Sequence, residues 1–180
     1  MPKKIVITGG PGTGKTSLVS YLLNQGYQCM PEISREITLE AQKNGIEQLF
    51  LKDPIFFSQK LLEGRTKQFM DTQNLKNTFL FFDRGLPDIT AYMDYSNTLY
   101  PDHFLETCHS LKYDLVFLLP PWKDIYKQDN ERYETFEEAK IIHDYLLKGY
   151  EKYGYRVIEI PFGDLENRKE FIFNKLGDLF

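Results

Sequence analysis

The apolar run Ile5-Val6-Ile7 is followed almost at once by Gly9-Gly10-Pro11-Gly12-Thr13-Gly14-Lys15-Thr16. This octet satisfies G-x-x-x-x-G-K-[ST], placed after a strand-like run and before a helical pattern, and that order admits few folds. A strand must stop, turn sharply and aim several backbone N–H groups at one anion before a helix begins. Glycines permit the turn. The helix starting near Lys15 adds its unpaired N-terminal amides and the positive end of its dipole, both of which favour a polyphosphate. The segment is therefore read as a phosphate-binding loop, with Gly10, Pro11, Gly12, Thr13, Gly14, Lys15, Thr16 and Ser17 as the nucleotide-binding residues. Lys15 is expected to reach the β- and γ-phosphates, and the Thr16 hydroxyl to ligate Mg²⁺. Leu18 and Leu22 carry the helix on until Gly26 offers a stop.

The chain of 180 residues, 42% hydrophobic and 27% charged, is expected to form one globular domain over 1–180. A net charge of −4 argues against nucleic acid as a main partner, since that role calls for a clustered basic surface. Cys29 and Cys108 are too few for a disulfide framework, and neither belongs to a C-x-x-C pair. A reduced, intracellular setting is expected. No window approaches the length of a membrane span, so the expected location is the cytoplasm, with no transmembrane segment.

Strand-like runs recur at 4–8, 28–30, 78–82, 114–119 and 156–160. Helical patterns lie between them. Asp53-Pro54 reads as a cap with proline in the first turn of a helix running to about Gln73, and Thr135 with Glu138 as a capping box for a helix reaching towards Gly154. Asp164 is placed to cap a last helix with Phe171, Ile172 and Leu176 inward. Nearly all-apolar strands alternating with helices indicate a parallel sheet covered on both faces, a three-layer α/β/α domain. Its ligands should then lie at the carboxyl ends of the strands.

The residues following those strands are chemically useful. Asp83-Arg84-Gly85 follows Phe79-Leu80-Phe81-Phe82, so Asp83 can hold Mg²⁺ or accept a proton from an attacking hydroxyl, and Arg84 can neutralise a phosphoryl group. The plainer account is a surface turn in which Gly85 supplies a positive φ. After the second strand, Glu32 is a candidate general base or metal carboxylate and Arg35 a phosphate or substrate anchor. Glu36 is divided evenly between a site role and helix electrostatics. Pro120-Pro121-Trp122 opens a polar stretch with Lys123, Lys127 and Arg132, read as a lid over about 120–135 with Arg132 its catalytic candidate. A plain solvated loop explains the same charges. His103, Cys108 and His109 point in different directions on a helix, which favours surface and packing roles. Asn174-Lys175-Leu176-Gly177-Asp178 misses the guanine-reading N-K-x-D pattern by one residue.

With these residues assembled, the chain resembles the AAA-labelled P-loop family that groups the kinase domain of NadR with the TRP-like translocation defect proteins. The resemblance runs over nearly the whole chain. It is carried by GGPGTGKT, by Pro31-Glu32-Ile33-Ser34-Arg35-Glu36, by Phe82-Asp83-Arg84-Gly85-Leu86-Pro87-Asp88, and by Pro120-Pro121-Trp122 with Asn130-Glu131-Arg132-Tyr133. It implies a nucleoside-kinase-like fold with strand order 2-3-1-4-5 and Mg-nucleotide binding. It does not imply one reaction: members of this group act on nicotinamide riboside, nucleosides or nucleotides, and one branch is associated with GTP and phospholipid. The lid has a single arginine where many nucleoside kinases have several, and the chain has no room for the helical second domain of ring-forming motors.

Two functions fit. The first is a small-molecule kinase: ATP-Mg²⁺ sits on the loop, Lys15 and Arg132 stabilise developing charge, and Asp83 or Glu32 activates an acceptor hydroxyl. The acceptor would lie within 32–77, where Phe50, Phe56 and Phe57 can stack on a base, although core packing is the commoner use of phenylalanine at helical spacing. The second is a slow ATPase or GTP-binding switch that controls a protein or lipid and needs no acceptor.

Overall fold

The computed structural model describes residues 2–46, 48–72, 75–126 and 134–180. In chain order they form β1 (Lys3–Gly9), α1 (Lys15–Asn24), β2 (Cys29–Met30), α2 (Ser34–Lys43), α3 (Leu49–Lys52), α4 (Pro54–Asp71), β3 (Phe79–Asp83), α5 (Leu86–Tyr95), α6 (His103–Ser110), β4 (Leu115–Leu119), α7 (Phe136–Lys152), β5 (Val157–Glu159) and α8 (Leu165–Leu179). The strands make one five-stranded sheet in the order β2-β3-β1-β4-β5. Every pairing in it is parallel. This is the expected architecture and order.

Alternation along the central strands sets the layers. Ile5 and Ile7 of β1 join Phe81, Phe117, Leu18, Leu22, Ile172 and Leu176 in one core, while Val6 joins Leu80, Phe82 and Val116 in the other. Helices α1 and α8 therefore cover one face, and α4, α5 and α7 the other. Each fully buried leucine or phenylalanine in these cores contributes roughly 1.5–3 kcal/mol, which holds the sheet edge carrying the polar residues in place.

The helix ends follow local chemistry. Asp53 accepts a hydrogen bond from the Phe56 N–H at 3.0 Å ahead of Pro54. Thr135 and Glu138 form the capping box of α7, and Asp164 accepts from the Asn167 N–H at 2.8 Å at the start of α8. Gly26 follows α1 with φ 88°, a backbone conformation that costs glycine little. The near-miss N-K-L-G-D segment lies within α8.

Two details differ from expectation. Asp83 is the last residue of β3, not the first beyond it. The positive φ in the following turn belongs to Arg84 (φ 72°), whereas Gly85 is extended at φ −118°. Gly85 is required by crowding: an added Cβ would stand 2.7 Å from the Tyr150 hydroxyl and 3.0 Å from the Tyr113 ring.

Candidate nucleotide site at the carboxyl edge of the sheet

The loop after β1 turns through Gly12 (φ 71°) and Gly14 (φ 81°), left-handed positions that side chains resist. Gly14 is the N-cap of α1, and the Thr13 hydroxyl closes the turn by donating to the Gly10 carbonyl at 3.0 Å. Gly10 backs onto Ala139 and Ile142 of α7, and the Tyr126 ring fills the space that a Cβ on Gly12 would need. Thr16 and Ser17 are exposed on the first turn of α1. Lys15 is 8% exposed and its ammonium pairs with the Asp83 carboxylate. Burial first, then the Arg84 charge, pull the Lys15 pKa below its ordinary value, against the opposing pull of Asp83 and Glu32.

Beside that pair runs a chain of alternating charges. Arg65 of α4 donates from Nη2 to Glu32 Oε1 at 3.0 Å, and the other Glu32 oxygen meets Arg84 Nε at 2.6 Å. Arg84 Nη1 continues to Asp88 Oδ1 at 3.3 Å. Asp88, 1% exposed, also accepts from Thr8, from Tyr150 and from the Gly85 N–H at 2.8 Å. It thereby ties β1, the Arg84 turn and α7 together. Arg65 adds a bond from Nη1 to the Gly85 carbonyl at 2.8 Å. A left-handed non-glycine costs on the order of 1–2 kcal/mol, and Arg84 is held there by its N–H bond to the Ile7 carbonyl at 3.1 Å and by its two carboxylate partners. Burial alone would raise the Glu32 pKa, but Arg65, Arg84 and Lys15 outweigh it and hold the carboxyl at about 2.

A cavity of about 450 Å³ adjoins the loop, lined by Gly12, Gly14, Ser17, Trp122, Ile125 and Leu165 among others, with Arg168 in its wall. Arg168 is 2% exposed, donates from Nη1 to the Thr13 carbonyl at 3.2 Å and lies 4.9 Å over the Trp122 ring. Its Nε and Nη2 have no hydrogen-bond partner among the described residues. Burial lowers its pKa.

Of the expected site residues, the structure brings Lys15, Glu32, Asp83 and Arg84 together at one strand edge. Arg35 and Glu36 lie on the exposed first turn of α2, while the buried guanidinium on Glu32 comes from Arg65. Arg132 and Lys127 lie outside the described residues. Phe50 and Phe56 are exposed, 39% and 48%, while Phe57 packs on the core and against the Phe50 ring, centroids 6.2 Å apart. His103 bonds Gln59, Cys108 is buried and His109 packs on Tyr153. Sequence reasoning missed Arg65, Asp88, Tyr150 and Arg168. Two of these carried a readable signal: Arg65 falls on the buried stripe Leu61, Leu62, Phe69 of α4, and Arg168 on the stripe Ile172, Leu176 of α8. Among the described residues no helix is long and apolar enough to cross a membrane.

Comparison with known proteins agrees with this architecture. Deoxyadenosine kinase from M. mycoides, with products dCMP and dCDP bound, superposes with a TM-score of 0.72 at 21% identity over 98% of this chain and 100% of its own. The NadR protein in complex with NR superposes with a TM-score of 0.73 at 18% identity over 98% of this chain, which spans 50% of NadR. A second NadR structure, with NAD and AMP-PNP, gives a TM-score of 0.67 at 19% identity, over 98% of this chain and 49% of its own. At these identities the likeness is one of fold. No curated protein matches the chain by sequence. The family model described as AAA domain matches residues 4–168, nearly the whole length, and the chain belongs to that family of P-loop proteins.

Proposed function

We propose that this protein is a P-loop phosphotransferase that moves the γ-phosphoryl group of a Mg-nucleoside triphosphate, with ATP the expected donor, to a hydroxyl of a small nucleoside-like acceptor. The observation that carries the reading is the placement of the Lys15–Asp83 pair and the Arg65–Glu32–Arg84–Asp88 chain beside the phosphate loop, on one edge of the sheet. A switch also places a carboxylate beside the loop for Mg²⁺, so the Lys15–Asp83 pair serves both readings; the second carboxylate, Glu32, with its fixed cations, is what an acceptor site adds. The fold likeness to deoxyadenosine kinase and to NadR in complex with NR supports the same class.

The roles follow from the chemistry. The loop amides and Lys15 hold the phosphates, and Lys15 leaves Asp83 to do so. Thr16 and Asp83 offer the hard oxygen donors that Mg²⁺ takes alongside phosphate oxygens, so the residues present fit that ion. Held by Thr16 and Asp83, the ion would supply neutralisation of the nucleotide's phosphate charge. With its pKa near 2, Glu32 is ionised at neutral pH and is a weak base. Its part is to accept a hydrogen bond from the acceptor hydroxyl and orient it, which suffices where the transition state is loose. Arg84, pinned by Glu32 and Asp88, is the cation proposed to neutralise the transferred group, and Arg132 is proposed as a second. The acceptor is expected on the side of Glu32, within 32–77.

The test is transfer chemistry. Incubation with γ-labelled nucleotide, Mg²⁺ and a panel of nucleosides, including nicotinamide riboside, should give a labelled acceptor. Release of inorganic phosphate that no member of the panel stimulates would count against it.

A further inference from the structure

The Arg168 guanidinium is sealed in: the residue is 2% exposed, and its Nε and Nη2 lie out of reach of solvent. Its influence on the site runs through the backbone of the phosphate loop. Nη1 donates to the Thr13 carbonyl at 3.2 Å, and the same nitrogen stands 3.1 Å from where a Cβ on Gly14 would be. The cation therefore lies against the Thr13–Gly14 peptide, where the loop becomes α1.

That peptide is planar and trans, so the Thr13 carbonyl and the Gly14 N–H point in opposite directions. Fixing the oxygen towards α8 sends the N–H to the other side of the loop. A cation does this better than a neutral donor, because the bond is charge-assisted and polarises the peptide, which makes its N–H a stronger donor in turn. Gly14 is constrained to match, with φ 81° and no free space for a side chain between Arg168 and Ile125.

The guanidinium is itself held in place. Its centre lies 4.9 Å over the Trp122 ring, and Trp122 stacks on Phe162 with centroids 5.3 Å apart. The ring contact offsets part of the cost of burying the charge. An apolar side chain would fill this place without that cost; what arginine adds is the bond to the carbonyl.

We propose that Arg168 is a positioning residue of the phosphate loop: it holds the Thr13–Gly14 peptide so that the Gly14 N–H is presented to a bound polyphosphate. The role rests on the nucleotide-binding reading above and adds to it a residue of the last helix that never touches the ligand.

The test is titration with inorganic tripolyphosphate, by calorimetry and by following the Gly14 amide in ¹⁵N–¹H spectra, on the parent protein, Arg168→Met and Arg168→Lys. In the parent the Gly14 proton should move downfield as the anion binds. Arg168→Met should bind on the order of tenfold more weakly, with a smaller Gly14 shift. Arg168→Lys, which keeps a charged donor for the carbonyl, should bind within about threefold of the parent and recover the shift. Arg168→Gln, with a shorter neutral tip, takes the place of Arg168→Met if that variant does not fold. Parent-like affinity and Gly14 shift in Arg168→Met, or Arg168→Lys no better than Arg168→Met, would overturn the proposal and leave the phosphate site standing. Failure of the folded parent protein to bind tripolyphosphate would overturn the phosphate site itself.

Discussion

The two flanks of the phosphate loop are built on opposite terms. On the β3 side each charge faces an opposite charge: Arg65 on Glu32, Glu32 on Arg84, Arg84 on Asp88, Lys15 on Asp83. On the α8 side Arg168 is buried against an aromatic ring and a backbone carbonyl, with two donors unmade among the described residues. The first flank is a finished wall, closed by its own counter-charges; the second leaves two buried donors without a partner among the described residues.

The largest expected effect attacks the finished wall at its most shared member. Asp88→Ala strips the acceptor from Thr8, Tyr150, the Gly85 N–H and Arg84 together. Loss of one partner of a buried charged cluster costs about 3–5 kcal/mol, readable in the urea midpoint. A change below about 1 kcal/mol would mean that the network is not a unit.

Glu32→Gln should follow, because it leaves Arg65 and Arg84 facing a neutral amide, and both stability and label transfer should drop. The Glu32 pKa is lower in the fold than its ordinary 4.5, at about 2. Its contribution to stability is therefore complete above about pH 4.5 and lost as the pH falls towards 2. The gap between the parent protein and Glu32→Gln should close over that window; a gap independent of pH would contradict the assigned ionisation.

Lys15→Ala removes charge-assisted contacts of about 1.5–3 kcal/mol each to the phosphates and should abolish turnover with the fold intact by circular dichroism. Nucleotide hydrolysis at the parent rate would remove Lys15 from the site. The smallest effect on binding is expected from Asp83→Asn, which should lose Mg²⁺-dependent activity while nucleotide affinity falls mildly. Equal loss of both would point to damage of the strand end instead.

The legibility of the sequence divides between local and long-range contacts, and both flanks contain residues of each kind. Local signals placed the loop, the strands and the caps at Asp53, Thr135 and Asp164, because each of these is decided within a few residues by sterics or by one hydrogen bond. Strand ends then pointed to Glu32, Asp83 and Arg84. Their counter-charges were not visible in that way: Arg65 comes from the middle of α4 and Asp88 from the first turn of α5, and only the packing of these helices on the sheet brings them to the site. Arg35, chosen for its place in the first helical turn after the strand, is exposed on that turn. Gly85, weighed as the positive-φ residue, is extended, and Arg84 carries the left-handed turn because its two carboxylates hold it there. Arg65 and Arg168 share one overlooked sign, a cation set into an otherwise apolar helical stripe. Such a residue has to find a partner inside the protein or in a ligand.

The most direct measurement is label transfer from γ-labelled GTP and ATP to a nucleoside panel, run in parallel on the parent protein and on Lys15→Ala. The account predicts a labelled nucleoside product with the parent protein and none with Lys15→Ala. A folded parent protein that binds nucleotide yet labels no acceptor, releasing only phosphate or nothing, would contradict it.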